Sequence, residues 1–193
     1  MDKDEILIEQ TLAGNKNAFG EIINRHKNEI IRTAYRFCGD FKEAEDIAQD
    51  VFIKAYTNLS KFKKEASFST WLYRITYNTA CNYTRLKRKN PVSYETFKDK
   101  NINSSRHLID KTDNPVDKAA KKEEEKMIQE ALNKLPLKLK SAIVFREYEG
   151  LSYREISKVL GCSIGTVESR IARARQKLKV LLSPYLAIKG ERL

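Results

Sequence analysis

The stretch that decides the fold is residues 151–178, "LSYREISKVLGCSIGTVESRIARARQKL". Its first half predicts a short helix, because Ser152 and Glu155 have the spacing of a capping box at a helix start. Gly161 predicts the end of that helix, since glycine readily adopts the left-handed conformation in which helices stop. Ser163 can cap a second helix directly after the turn. Two helices joined in this way are typical of a helix-turn-helix, whose second helix usually enters the major groove of DNA.

The second helix of this stretch carries five cations from Arg170 to Lys179, with Glu168 as a nearby anion. A projection at about 100° per residue, centred on Ile171, separates an apolar stripe from an outer face. The predicted stripe holds Ile164, Val167, Ile171, Ala174, Leu178 and Leu182. The outer face holds Gly165, Thr166, Ser169, Arg173, Gln176 and Lys177, and Arg170 flanks it.

This outer face predicts contact with duplex DNA. Arginine pairs bidentately with guanine and serine can hydrogen-bond several bases, so Arg173 and Ser169 are the best candidates for base contacts. Arg175 lies close to the apolar stripe, where an ion pair with Glu168 competes with a DNA contact. A solvated helix face is the alternative interpretation of the whole pattern.

The composition favours an all-α protein that meets an anionic partner. The 193 residues are enough for one domain or two small ones, and 41% of them are hydrophobic. Glycine and proline are scarce, at 7 and 4 residues, and the periodic segments are long, which indicates helices. A net charge of +11 with clustered cations favours nucleic acid or a membrane surface as partner.

Several other classes are disfavoured. Cys38, Cys81 and Cys162 lie far apart, so they predict neither a zinc site nor a disulfide framework, as is usual in a reducing cytosol. The opening "MDKDEILIEQ" is more acidic than a secretory signal peptide. No apolar run approaches the roughly 20 residues that a membrane span needs. We therefore expect a cytoplasmic protein without a metal or a cofactor.

The charge and hydropathy patterns divide the chain into two small helical domains. We predict them at residues 1–90 and 122–193, joined by a flexible polar linker over 91–121. The linker stretch "KDKNINSSRHLIDKTDNP" is polar, mixes both signs of charge and has no helical period. The period restarts in "EEEKMIQEALNKL".

In the first domain, a helix predicted over 41–59 has one acidic face. Asp40 can cap it, and Glu43 stands in the capping-box position. Its predicted buried face holds Ala44, Ile47, Ala48, Val51, Ala55 and Leu59. The opposite face carries Asp46, Gln49, Asp50 and Ile53. An isoleucine within an acidic face predicts a protein-docking surface, although single exposed apolar residues are also common.

A helix predicted from Phe68 to about Lys89 combines cations with aromatic rings. Its predicted buried face holds Leu72, Ile75, Thr79, Tyr83 and Leu86. Its outer face holds Arg74, Tyr77, Asn78, Arg85 and Arg88, with Trp71 and Tyr73 on the flanks. This mixture predicts binding of single-stranded nucleic acid, because bases stack on the rings while phosphates meet the cations. The alternative is that Trp71 and Tyr73 are core edges that close the domain.

Three motifs, in this order, resemble the bacterial sigma factors of the extracytoplasmic-function (ECF) group, in the sigma-70 family. They are "AEDIAQDVFIKAY", "SFSTWLYRITYN" and "LPLKLKSAIVFREYEGLSYREISKVLGCSIGTVESRIARARQKL". The resemblance covers nearly the whole chain outside the linker. It implies a subunit of RNA polymerase, with no catalysis of its own, that directs the core enzyme to promoters and helps open the minus-ten region.

The resemblance also implies roles for individual residues. The clamp helices of the largest polymerase subunit would meet Asp46, Gln49, Asp50 and Phe52, to which the acidic face adds Ile53. The minus-ten element would meet Phe62, Lys63, Trp71, Arg74 and Asn78, to which the outer helix face adds Tyr77, Arg85 and Arg88. The minus-thirty-five element would meet Thr166, Ser169, Arg170 and Arg173, to which the turn and outer face add Ser163, Gly165 and Lys177.

Further partners follow from the same resemblance. The linker resembles the segment that threads into the polymerase toward its RNA path, so other core subunits are expected to contact the chain. An anti-sigma factor is also expected. Asn82 stands where the family often has aspartate, and Glu168 where it often has a base, so the promoter preference of relatives does not carry over.

Two other functions are compatible with parts of the sequence. A stand-alone transcriptional regulator could bind duplex DNA through the same helix-turn-helix, but it would need neither the acidic face nor the aromatic, cationic helix. An enzyme acting on single strands, such as a nuclease or deaminase, is disfavoured because the chain has no His/Cys zinc cluster. Its two histidines are His26 and His107, for which structural or solvent-exposed roles are expected.

Overall fold

The computed structural model describes the backbone of residues 3–89 and 115–189, and the side chains of 3–87 and 123–185. Over those residues the chain is helical, with no strand, as the sequence predicted. It forms two compact units. Residues 91–114 of the predicted linker and the side chain of Arg88 lie outside the described residues. The last residues of the predicted linker, 115–121, belong to a helix that begins at Pro115.

The first unit is built around one long helix. Its elements are α1 (Lys3–Leu12), α2 (Lys16–Cys38), α3 (Phe41–Thr57), a short 3-10 helix (Leu59–Lys61) and α4 (Phe68–Lys89). Helix α2 packs against α1, α3 and α4, which all contribute to a shared core. The core includes Ile8, Ile22, Ile30, Ile47, Val51 and Leu72.

Helix α3 follows the predicted pattern over most of its length. All six residues of its predicted buried face are buried. Asp40 caps the helix, since its Oδ1 accepts the Glu43 backbone N–H at 2.9 Å. The Glu43 carboxylate pairs with Lys87 Nζ of α4, so it joins two helices where the sequence predicted a capping box. The helix ends at Thr57, and Leu59 is buried in the 3-10 helix that follows.

The buried face of α4 differs from the prediction. Leu72 and Thr79 are buried as expected, but Leu86 is 54% exposed. The observed face also takes in Thr76, whose hydroxyl donates to the Leu72 carbonyl at 2.9 Å and is therefore satisfied within the helix. The predicted face also included Ile75 and Tyr83, which are only half-buried, so the observed face lies on the side of Thr76 rather than of Ile75.

The second unit contains the predicted helix-turn-helix. Its helices are α5 (Pro115–Asn133), α6 (Leu137–Glu147), α7 (Tyr153–Leu160) and α8 (Ile164–Lys189). Helix α8 packs against α5 and α6. The largest fully buried side chains of this unit are Leu132, Val144, Phe145, Ile156, Val167 and Ile171.

The turn between α7 and α8 has the predicted chemistry. Ser152 and Glu155 form the complete capping box, and Gly161 adopts a left-handed conformation at φ 61°. Ser163 Oγ accepts the Thr166 backbone N–H at 3.2 Å and so caps α8. Of the predicted stripe, Val167, Ile171 and Ala174 are buried, Leu178 and Leu182 are half-buried, and Ile164 is wrong because it is 45% exposed. It is the first residue of α8 and lies beyond the part of the helix that packs on the core.

Candidate nucleic-acid interface

Three aromatic rings meet where the loop after the 3-10 helix enters α4. We call Phe62, Phe68 and Trp71 the aromatic cluster. Their ring centroids lie 5.4 Å apart for Phe62–Phe68, 5.4 Å for Phe62–Trp71 and 5.5 Å for Phe68–Trp71. Phe68 is buried, whereas the other two rings are half-buried. The cluster is therefore anchored in the core through Phe68 and presents two ring surfaces toward solvent.

The start of α4 holds this cluster in place. Ser67 Oγ accepts the Thr70 backbone N–H at 3.2 Å and shares a hydrogen bond with Thr70 Oγ1 at 2.8 Å. Ser163 and Thr166 repeat the same Ser-x-x-Thr arrangement at the start of α8, with the hydroxyls 2.8 Å apart. Both helices that carry candidate DNA-binding residues thus begin at a side-chain cap, which fixes the direction of the first helical turn.

Trp71 and Tyr73, the two flanking aromatics, have different environments. Tyr73 is 2% exposed, and its hydroxyl donates to Glu29 Oε1 of α2. It is therefore a core residue, as the alternative interpretation held. Trp71 keeps part of its ring exposed in the aromatic cluster. Of these two flanking rings, Trp71 is the one that a base can stack on.

The outer face of α4 is cationic and polar. Arg74, Asn78 and Arg85 are exposed there, and Lys63 is exposed in the preceding loop. Arg85 Nη2 lies 3.4 Å from Asn82 Oδ1, so Asn82 contacts one of the cations of this face. Tyr77 is half-buried and packs edge-on against Phe37, with ring centroids 6.3 Å apart, so its ring is only partly available.

Beneath the aromatic cluster lies a buried ionic network that the sequence analysis did not identify. His26 Nε2 lies 2.9 Å from Asp4 Oδ2, and His26 Nδ1 lies 3.4 Å from Glu29 Oε2. Burial alone would lower the pKa of His26, but hydrogen bonds and attraction from Glu29 and Asp4 outweigh it and raise this pKa above 6.5. The hydrogen bond from His26 correspondingly lowers the pKa of Glu29. His26 thus has the structural role that was expected, as the partner of Asp4 and Glu29 in ion pairs.

The acidic face of α3, defined as Asp46, Gln49, Asp50 and Ile53, is exposed throughout. Ile53 is 55% exposed. Lys54 Nζ lies 3.9 Å from Asp50 Oδ2 and donates to Thr79 Oγ1 at 3.1 Å, which holds this cation toward α4. Phe52, which the resemblance places among the docking residues, is only 6% exposed. It follows Val51 on the core side of α3, so its side chain supports the face from within.

The outer face of α8 is exposed as the projection predicted, except at Thr166. Ser163, Gly165, Ser169, Arg173 and Lys177 are exposed, and Thr166 is half-buried. The Ser169 hydroxyl donates to the Thr166 carbonyl at 3.0 Å, which leaves its oxygen able to accept a hydrogen bond. Within the described part of the chain, Arg173 and Lys177 have no hydrogen-bond or ion-pair partner, so both side chains are free to reach DNA.

Two other arginines of α8 are held by the protein. Arg170 is half-buried, with Nη1 3.5 Å from Cys162 Sγ in the turn. Arg175 donates to Glu147 Oε1 of α6 through Nε at 3.2 Å and Nη2 at 2.7 Å, and this pairing raises its pKa. The predicted partner Glu168 is therefore wrong. Glu168 lies two helical turns away on α8, about 10 Å along the axis, whereas α6 brings Glu147 alongside.

Comparison with known proteins assigns both units to one family. Residues 22–90 match the family described as "Sigma-70 region 2", and residues 125–178 match "Sigma-70, region 4". The chain is 37% identical to the RNA polymerase sigma-H factor of Pseudomonas aeruginosa over 186 residues, 96% of each chain. This chain belongs to the ECF group of the sigma-70 family. It is also 35% identical to the ECF RNA polymerase sigma-E factor of Haemophilus influenzae, over 95% of this chain and 97% of that protein.

Solved structures share the fold of this chain. The structure of CnrH in complex with the cytosolic domain of CnrY superposes with a TM-score of 0.69 at 30% identity, over 95% of this chain and 99% of CnrH. A sigma factor RpoE, solved with the anti-sigma factor NepR from Bartonella quintana, has the same fold, with a TM-score of 0.63 at 24% identity. It covers 86% of this chain and 96% of that one.

Membership of the family establishes the general function. As an ECF sigma factor, the chain directs core RNA polymerase to specific promoters and helps open the minus-ten region for initiation. A stand-alone regulator is not favoured, because both sigma regions are present. Among the described residues, no group of three His, Cys, Asp or Glu side chains could hold a metal ion. None of the described helices has the length and apolar character of a membrane span.

Proposed function

We propose that the two units divide promoter recognition between unpaired and paired DNA. Region 2, residues 1–90, engages the melted minus-ten element, and region 4, residues 122–193, reads the minus-thirty-five element as duplex. Residues 91–121 form the linker between them. The observation that carries this proposal is the half-exposed aromatic cluster at the start of α4, a helix that contains no acidic residue from Phe68 to Lys89. Such a surface gains little binding free energy from duplex DNA, because the faces of its bases are already stacked. It gains much more from flipped bases, whose faces are free.

The minus-ten contacts have separable roles. Trp71 stacks on, or takes the place of, a base at the edge where the strands separate, supported by Phe62 in the loop. Asn78 can hydrogen-bond a flipped base, because its amide is exposed on the outer face of α4, about two helical turns after Trp71. Arg74, Arg85 and Lys63 meet phosphates of the unpaired strand. Arg88 continues the same helix and has the same assignment from sequence alone.

The minus-thirty-five contacts are centred on Arg173 and Ser169 of α8. Arg173 is exposed and unpaired in the described structure, which supports bidentate contact with a guanine. Ser169 retains acceptor capacity for an amino group of adenine or cytosine. Lys177, Arg170 and the capped start of α8, with Ser163, Gly165 and Thr166, contact the phosphate backbone and set the register.

The acidic face of α3 docks on core polymerase. Its two carboxylates and Gln49 offer hydrogen-bond acceptors around the exposed side chain of Ile53, a polar rim around an apolar centre. A basic helical surface such as the clamp helices of the largest polymerase subunit complements this arrangement. Other core subunits contact the linker. The chain carries out no catalysis itself and acts in the cytoplasm, where core polymerase and promoter DNA are found.

An anti-sigma factor is a further proposed partner. The similarity to CnrH, which was solved in complex with the cytosolic domain of CnrY, supports a protein partner of this kind. Such a partner would keep the chain from core polymerase until a signal releases it.

The experiment that tests the division of labour uses the purified chain with core polymerase. We expect the chain to copurify with core polymerase and the holoenzyme to protect two promoter elements, with thymines reactive to permanganate in the minus-ten element alone. A stand-alone regulator would protect duplex without polymerase and leave every thymine paired. That second pattern would overturn the proposal.

A further inference from the structure

Helix α1 is tied to the rest of region 2 by polar contacts at both of its ends. Near its start, Asp4 is 8% exposed and receives Arg25 Nη1 at 2.6 Å and His26 Nε2 at 2.9 Å. Near its other end, Glu9 Oε1 accepts from Lys64 Nζ at 3.1 Å. These contacts join α1 to α2 and to the loop that carries Phe62 and Lys63.

The same network reaches the start of α4. The ring of His26 lies edge-on to Phe68, with centroids 5.7 Å apart, and Phe68 is the buried member of the aromatic cluster. Glu29 receives both His26 Nδ1 and the Tyr73 hydroxyl. Two contacts therefore fix the position of the first turns of α4: that of His26 with Phe68 and that of Glu29 with Tyr73.

The charges around His26 make its position specific. Carboxylates approach from α1 through Asp4 and from its own helix through Glu29, and both ring nitrogens are used. Arg25 pairs with the other oxygen of Asp4. A buried imidazole bonded on both sides can neither rotate nor shift without leaving a charged group unpaired, which costs far more than moving an apolar side chain.

We propose that Asp4 and His26 are positioning residues for promoter opening, and that they act on the minus-ten strand through Phe68 and Trp71. This inference rests on the proposed role of Trp71 at the point of strand separation. Asp4 fixes the ring of His26, His26 fixes Phe68, and Phe68 sets the orientation of Trp71 and Phe62. The Glu9–Lys64 pair ties the loop that carries Phe62 to α1. Helix α1 contains none of the proposed DNA-binding residues, yet through these contacts it contributes to promoter opening.

A double-mutant cycle in reconstituted holoenzyme tests this chain of contacts. The variants are Asp4→Asn, Trp71→Ala and the pair together, with Glu5→Gln as the control that loses the same charge one residue away on α1. The readout is the amount of open complex on a fully paired promoter and on one mismatched over the minus-ten region. The wild-type chain and all variants are compared below their melting temperatures, after equal capture by core polymerase has been verified.

We expect Asp4→Asn to reduce opening of paired DNA about threefold or more, an effect within the range of coupling between contacting residues. Mismatched DNA should restore it, and Asp4→Asn should add nothing in the Trp71→Ala background. Tyr73→Phe, which keeps the ring and loses the hydroxyl, should show a smaller defect of the same kind. Glu5→Gln should open DNA normally.

The outcomes separate this inference from the proposed function. If Trp71→Ala opens paired DNA normally, the proposed role of the aromatic cluster is wrong. If Trp71→Ala is defective, three results for Asp4→Asn would overturn the positioning role alone. They are normal opening of DNA, an equal loss of activity on both templates, and an effect that adds in full to that of Trp71→Ala. Should Asp4→Asn fail to fold, the same comparison with Tyr73→Phe decides.

Discussion

Arg175 donates two hydrogen bonds to a single oxygen, Oε1 of Glu147, and so joins the DNA-facing helix α8 to the end of α6. Arg173, two residues earlier on α8, has no such partner among the described residues. Two arginines that look equivalent in the sequence are therefore in different states before DNA arrives. One is committed to the protein, and the other is free.

The first prediction contrasts these two arginines. Arg173→Ala should cost about 1–3 kcal/mol of discrimination at one base pair of the minus-thirty-five element. Arg175→Ala should leave base preference unchanged and remove an exposed ion pair, which is typically worth about 0.2–1 kcal/mol of stability. Titrations of holoenzyme on a panel of promoter variants, with melting curves of both proteins, measure the two effects. Equal, sequence-independent losses for both variants would contradict this assignment.

The second prediction concerns the acidic face of α3. Asp50→Lys and Ile53→Asp should each weaken capture by core polymerase, the first by reversing a charge and the second by placing a charge at the apolar centre. Glu45→Lys is the matched control, because Glu45 is exposed on the flank of the same helix. Pull-down with core polymerase is the measurement. Undiminished capture of both variants would remove the docking role from this face.

The third prediction separates base recognition from strand separation in region 2. Trp71→Ala and Asn78→Ala holoenzymes should still bind paired promoters but open them poorly. A promoter mismatched over the minus-ten region should restore much of the Trp71→Ala activity, because no strand separation is needed there. Asn78→Ala should stay impaired, since it loses a contact to the flipped base. Transcript yield on the two templates distinguishes them, and rescue of both variants to the same degree would show that Asn78 reads no base.

The fourth prediction follows from the raised pKa of His26. A raised pKa in the folded state means that protonation stabilises the fold. The contribution is fully present below the unfolded value of 6.5 and is lost as the pH rises through the higher folded pKa. The pKa of Glu29 is lowered, so this carboxylate stays ionised throughout that window.

Comparison with a variant measures this contribution. The wild-type chain should have a higher free energy of unfolding than His26→Gln at about pH 6. This difference in free energy should become smaller as the pH is raised to about 9. Chemical denaturation at several pH values gives the difference directly. A difference that grows with pH would mean that His26 is bound as the neutral form.

The local signals in the sequence were sufficient for most of the fold. The capping box at Ser152, the left-handed Gly161 and the cap at Ser163 depend on residues close in the chain, so the helix-turn-helix was predictable. The exposed residues of α8 were predictable too, because one stripe packs on the core and the rest follows from helical geometry. Where the helix leaves the core at Ile164, the same projection was wrong.

Contacts between helices could not be read from spacing alone. Arg175 has an acid on its own helix at Glu168, yet it pairs with Glu147, which only the fold brings near. The buried face of α4 was misplaced because it lies against both α2 and α3, which cover its threonines as well as its apolar residues. His26 and Asp4 are 22 residues apart, and nothing in the sequence between them indicates their contact.

The most direct test of the account is to map transcript starts made by core polymerase with and without this chain. The template is a fragmented genomic library, and the readout is sequencing of RNA 5′ ends. We expect discrete starts that depend on the chain, that share two upstream elements, and that are lost with Trp71→Ala but regained on templates mismatched at the minus-ten element. Starts that do not depend on the chain, together with binding of duplex DNA in the absence of polymerase, would contradict the account.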